Sequence, residues 1–126
     1  DTYRQFAREA ATSLKPPSGN EIWFAGHWGW QHYASAAGFR EISRSGPAPK
    51  PGDVVLIPDT VHKGAAIAPT VGERFEQIAE KRYPARVGVV TMDWARAGFY
   101  SSGGLPPYYF GKGLTYEVFR AFRVKQ

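Results

Sequence analysis

The order of segments in this chain predicts a single small α/β domain, a mixed sheet of about four or five strands flanked by about three helices, in two or three layers. Three observations carry the expectation. Stretches with apolar residues at helical spacing alternate with short β-branched or aromatic runs. Gly and Pro clusters punctuate the boundaries between them. A length of 126 residues suits one core and is too short for two. Residues 1–126 therefore read as one domain.

The first helix rests on Tyr3, Phe6, Ala7, Ala10 and Leu14, with Asp1 or Thr2 as cap and Pro16-Pro17-Ser18-Gly19-Asn20 as stop. Ile22-Trp23-Phe24 makes a short buried strand, and Ala25-Gly26 is the turn that leaves it. Trp30, Tyr33, Ala34 and Ala37 then lie on one face of a second helix that Gly38 closes. Phe39 to Ser43 is a short strand, and the three prolines between Ser45 and Gly52 mark an extended connection. Pro51-Gly52-Asp53 turns the chain into Val54-Val55-Leu56-Ile57, a continuous apolar run of the kind buried on both faces of a sheet. Beyond the loop from Asp59 to Thr70, the spacing of Val71, Phe75, Ile78 and Ala79 predicts a third helix ending before Pro84. Arg86 to Thr91 reads as another buried strand and Tyr116 to Val124 as a long alternating one. Right-handed crossovers place Ile22, Val54 and Val87 on central strands.

Composition narrows the function. The apolar fraction of 43% and charged fraction of 21% are those of an ordinary folded protein, whereas 15% aromatic residues exceeds the needs of a small core. Some of those rings are expected to face a ligand, a partner or a membrane surface. The net charge of +5 suits anionic partners, but its basic residues are scattered and no nucleic-acid module accompanies them, so no nucleic-acid partner is expected. With no cysteine there is no disulfide, thiolate zinc site or Cys nucleophile. No segment has the length of a membrane span. The chain starts without Met, as an excised or processed fragment would.

Glu21 to Ala37 is the best candidate for a site, because it gathers Trp23, His27, Trp28, Trp30, Gln31, His32 and Tyr33 where a strand passes into a helix, and the carboxyl ends of strands border the usual crevice of open α/β sheets. Gly26 and Gly29 are read as structural turn residues. His27, Trp28, Gln31, Trp94, Tyr108 and Tyr109 are the candidate ligand-binding residues. The segment Asp93 to Gly113 is expected to fold back over the carboxyl ends of Ile22–Phe24 and Val87–Val90, making an aromatic crevice with Trp28 and Trp30. Trp23, Phe24 and Tyr33 are expected in the core.

Catalytic chemistry finds weaker support. His27, His32 and His62 could meet Asp59 or Asp53 around a metal, but a spacing of five turns the first two rings apart on a helix. A hydrogen-bonded His27 holding the turn is preferred, and no metal or cofactor is expected. There is no nucleophile elbow, and Ser101-Ser102-Gly103-Gly104 has no base at a known spacing. Asp53, Asp59 and Asp93 stand near strand ends where acids could converge, although such residues more often terminate elements. Glu73 and Glu76 read as the solvent side of the third helix. No residue is assigned a catalytic role.

Three blocks, W-F-A-G-H-W-G-W-Q-H-Y-A with Gly38-Phe39, P-G-D-V-V-L-I-P from Pro51 to Pro58, and G-F-Y-S-S-G-G-L-P-P from Gly98 to Pro107, resemble the soluble C-terminal region of bacterial membrane glycosyltransferases of the dolichyl-phosphate-mannose protein mannosyltransferase type, the ArnT-like group. The resemblance implies a noncatalytic domain on the extracytoplasmic, periplasmic face of the inner membrane. Its partner would be the membrane-embedded portion of the same polypeptide, with a glycan or lipid-linked sugar as a further contact. Such enzymes take a sugar from a polyprenyl-phosphate donor, and their catalytic acids lie in the membrane portion. A free-standing carbohydrate or small-ligand binding module and a small hydrolase or transferase remain the alternatives.

Overall fold

Tyr3, Phe6, Ala7 and Ala10 turn toward one side of α1 (Thr2–Ser13) in the computed structural model, which describes residues 2–26, 29–43, 45–59, 74–84, 89–90, 92–93, 97–98, 109–111 and 115–126. The predicted order then holds through β1 (Ile22–Phe24), α2 (Gly29–Ala36), β2 (Arg40–Glu41) and β3 (Val54–Pro58). Gly38 closes α2 with φ +81°: its N–H donates to Ser35 O and that of Phe39 to Ala34 O, both at 3.0 Å, the paired bonds of a left-handed helix cap.

The remaining elements among the described residues are strands: β4 (Phe75–Pro84), β5 (Val89–Val90), β6 (Met92–Asp93), β7 (Ala97–Gly98), β8 (Tyr109–Phe110) and β9 (Thr115–Val124). Five of the nine form a mixed sheet in the order β2-β1-β3-β9-β4, in which β1 runs parallel to β2 and β3 while β9 runs antiparallel to β3 and β4. The described residues thus hold two helices where about three were expected.

The third helix is the correction. Phe75, Ile78 and Ala79 lie on β4, not on a helix, while Val71 lies outside the described residues; a bulge explains why their spacing misleads. Across the β4–β9 ladder Gln77 pairs with Phe122 and Ala79 with Ala121, so Ile78 is the extra residue. The bulge breaks the two-residue alternation and leaves apolar side chains three and four apart, a helical signature on a strand. Glu76, whose acidity was read as the wet side of a helix, is instead exposed on the strand, while Glu73 lies outside the described residues. Charges at Glu76, Glu80, Lys81 and Arg82 suit an outer strand, where they oppose pairing with foreign chains.

A second expectation also fails. Val87 itself lies outside the described residues, and the described part of the strand expected there, Val89–Val90, is not central: it is hydrogen-bonded to Tyr109–Phe110 in a separate two-stranded ladder. The place beside β3 goes to β9, whose ten residues can pair along their whole length with β3 on one side and β4 on the other.

Both described helices lie against one face of the sheet. Phe6, Ala7 and Ala10 of α1 and Trp30 and Ala34 of α2 bury with Phe24, Val54, Leu56, Phe119, Ala121 and Tyr83. Phe6 stacks on Phe119 at 3.9 Å between ring centroids, and Trp30 meets the same ring at 5.2 Å while its indole N–H donates to Ala25 O at 3.1 Å. The opposite face is apolar as well, with Trp23, Ala25, Val55, Ile57 and Val124 buried together. β3 is buried at every position, as its unbroken apolar run predicts. Trp23 and Phe24 are core residues and Tyr33 packs partly buried against it. The Arg40 guanidinium lies 4.7 Å from the Trp23 ring centroid.

Candidate functional site

The parallel strands β1 and β3 end at Ala25-Gly26 and at Asp59, and α2 begins nearby at Gly29. Gly26 has φ +117°, a conformation that a side chain strains, so the turn needs glycine there. Gly29 differs. It lacks a positive φ, and a Cβ on it would meet the Tyr3 ring at 3.6 Å, an ordinary contact. The two glycines are therefore not equivalent, and only Gly26 is demanded by the backbone.

Tyr3 connects this turn to a buried acid. Its hydroxyl donates to Oε2 of Glu117 at 3.2 Å, and Oε1 of that carboxylate accepts the N–H groups of Asp59 and Val118, both at 2.9 Å. Glu117 is completely buried, on the sheet face that also carries Phe119 and Ala121. A buried carboxylate needs such donors, because an unpaired one would cost several kcal/mol. The bonds also join the end of β3 to the start of β9.

A second acidic group lies on the other face of the same strand pair. Arg120 donates to Asp59 and, through Nε at 3.0 Å, to Glu80; Arg82 reaches Glu80 at 2.8 Å. Burial works against the Arg120 charge, but Asp59 and Glu80 more than restore it and raise its pKa. Hydrogen bonds from Arg82 and then Arg120 hold Glu80 below the ordinary carboxylate range. Glu80 is thereby kept ionised and is poorly suited to donate a proton.

Asp53 and Asp59 do not converge. They flank β3, one before it and one after it, so roughly 20 Å of strand separates the two ends. Asp53 accepts four hydrogen bonds, from Asn20 Nδ2 (2.8 Å), Glu21 N (2.9 Å), Trp23 Nε1 (2.8 Å) and Lys50 N (2.9 Å). Desolvation pushes its pKa up, yet these donors outweigh burial and the net shift is downward. It is a latch tying three segments together.

Of the expected ligand-binding residues, Gln31 lies on α2 and donates to Glu41 Oε2 at 3.0 Å, an exposed tie between α2 and β2. Tyr109 pairs with Val90 through its backbone. His27, Trp28, Trp94 and Tyr108 lie outside the described residues, as does most of the segment from Asp93 to Gly113 that was expected to close over the turn. The exposed His32 stands edge-on to Tyr33 at 5.1 Å, and no group of three metal-binding side chains occurs among the described residues.

Sequence reasoning overlooked Glu117 and counted Arg120 among the scattered basic residues. A signal for Glu117 was present. In a strand alternating every two residues, its position shares a face with Phe119 and Ala121, so an acid there is a core-facing acid. The chain matches no family model, no curated protein and no solved structure.

Proposed function

We propose that this chain is a noncatalytic, extracytoplasmic accessory domain of a membrane glycosyltransferase that draws sugar from a polyprenyl-phosphate donor. In this role it contacts the acceptor, the donor headgroup or the membrane-embedded portion of the same polypeptide. The three sequence blocks resembling the ArnT-like group suggest the reading. Two of them, Trp23 to Phe39 and Pro51 to Pro58, span the adjacent parallel strands β1 and β3 and the helix α2.

The observation that carries the noncatalytic part is the occupation of the acids. Asp53 accepts four donors, Glu117 three, and Asp59 and Glu80 share Arg120. Carboxylates that hold the framework together are poor candidates for attacking or protonating a sugar, which calls for an acid whose proton is free to move. Among the described residues no helix is long and apolar enough to cross a membrane, so the catalytic spans would belong to another part of the polypeptide.

Two measurements test the reading together. Reporter fusions after Gln126 in the native gene should give active alkaline phosphatase and dark green fluorescent protein, and the reverse pattern overturns the extracytoplasmic placement. The purified chain, incubated with polyprenyl-phosphate sugars and candidate acceptors, should transfer nothing; turnover by it alone overturns the accessory role.

A further inference from the structure

The described basic residues fall into two sets. Arg40, Lys81, Arg82 and Arg120 are each matched to a carboxylate: Glu21 at 3.1 Å, Glu9 at 3.2 Å, Glu80 at 2.8 Å, and for Arg120 both Asp59 and Glu80. Arg4, Arg8, Lys15, Lys50, Arg74, Arg123 and Lys125 are exposed and make no ion pair among the described residues. Arg4 and Arg8 lie on α1, Arg4 over the Tyr33 ring at 5.7 Å, whereas the other five collect at one end of the sheet, the edge where β1 and β3 begin, opposite the Gly26 turn.

The edge is continuous. Gly52 N–H donates to Val124 O at 3.0 Å and Lys125 N–H to Arg74 O at 2.8 Å, which brings the turn before β3, the start of β4 and the end of β9 side by side. Lys15 joins Gly52, Arg123 and Lys125 around one shallow depression, and the Lys50 ammonium is held beside them on the Gly19 carbonyl. Three carboxylates lie among them: Glu76 faces Arg123 in the β4–β9 register, Glu21 stands near Lys15 and is paired with Arg40, and Asp53 is buried under its four donors.

We propose that this edge docks on an anionic bilayer surface. Long, exposed side chains from four separate elements match a diffuse planar charge. A small anion would instead call for buried donors aimed at one point, and the edge has none among the described residues. Binding of this kind is electrostatic, reversible and screened by salt, since each cation acts within a Debye length of the headgroups. The inference stands on the placement of charge and not on the glycosyltransferase reading, so either can fail without the other.

The test is co-sedimentation of the 126-residue chain with vesicles. Binding is expected to phosphatidylcholine vesicles containing phosphatidylglycerol, to be lost at high salt, and to be absent with phosphatidylcholine alone. Replacing Lys15, Arg74, Arg123 or Lys125 by Gln should each weaken binding about fivefold, the equivalent of about 1 kcal/mol per basic residue at such a surface. Arg4→Gln and Arg82→Gln, which remove cations elsewhere, should leave it unchanged, and thermal melts should show every variant folded. Equal binding to both vesicle types, or equal losses from Arg4→Gln and Lys125→Gln, overturns the proposal. So does displacement by inorganic phosphate at constant ionic strength, which would mark a discrete anion site and not a surface.

Discussion

Asp53 shows how one side chain can organise a small domain. Its carboxylate receives donors from Asn20 and Glu21 before β1, from Trp23 within it and from Lys50 in the proline-rich connection, and its own carbonyl accepts Val124 N–H at 2.9 Å. Asp53→Asn keeps the shape but turns an amide N–H₂ toward groups that are themselves donors. It should cost about 3 kcal/mol, the penalty of leaving buried donors unmatched around a charged acceptor. Gln31→Ala breaks only an exposed tie and should stay within about 0.5 kcal/mol. Urea midpoints compare the two, and similar shifts would refute the latch. The pH dependence follows from the lowered pKa of Asp53 in the fold. A depressed carboxylate contributes stability that is present above its unfolded pKa, near 4, and is lost as pH falls through the folded value. The midpoint should therefore decline with acidification below about pH 4, and Asp53→Asn should flatten part of that decline.

At the scale of elements, β4 decides the difference between expectation and structure. Its bulge sends Ile78 to the helical face of the sheet, against the main core, although its neighbour Gln77 is exposed. Ile78→Lys should destabilise the domain by about 2 kcal/mol, whereas Gln77→Lys should change stability by no more than about 0.5 kcal/mol. Equilibrium denaturation measures both, and equal effects would place the bulge elsewhere. The strand is also tied to α1. Lys81 pairs with Glu9 at 3.2 Å, and the Tyr83 hydroxyl donates to the same carboxylate at 2.9 Å. Burial first, and Glu9 second, raise the Tyr83 phenol well above its ordinary range, which keeps it protonated and able to donate.

For the whole molecule, the aromatic centre makes α1 and the sheet one cooperative unit. The Phe6 ring stacks on Phe119 and lies 5.8 Å from Trp30 and 6.4 Å from Tyr83. Phe6→Ala removes the residue through which α1 meets α2, β4 and β9 at once, and should cost about 3–5 kcal/mol. In the unsubstituted chain, tryptophan fluorescence and far-UV circular dichroism should report coincident urea transitions. Separate transitions would mean that α1 and the sheet unfold independently. Charge is organised on the same scale, with matched pairs around β2, β4 and Arg120, and with five of the unmatched cations, Lys15, Lys50, Arg74, Arg123 and Lys125, along one edge while Arg4 and Arg8 stand on α1.

The sequence alone determined α1, β1, α2, β3 and β9, because α1 and α2 repeat their apolar residues at helical spacing up to Pro16 and Gly38, β1 and β3 are short apolar runs bounded by turn residues, and β9 is a long β-branched and aromatic stretch. It also singled out Gly26, whose positive φ no other residue adopts as easily. Only the tertiary structure decided that Phe75 to Pro84 is a strand, since a bulge is specified by the partner strand and a broken period of two imitates a helix. The same holds for strand order, where β9 and not the segment near Val87 lies beside β3. The roles of Asp53 and Asp59 were equally hidden. Alternation puts Glu117 on the core face, but Asp53 and Asp59 look alike along the chain, and what separates a latch from an ion-pair partner is the set of donors that folding brings to each from residues distant in sequence.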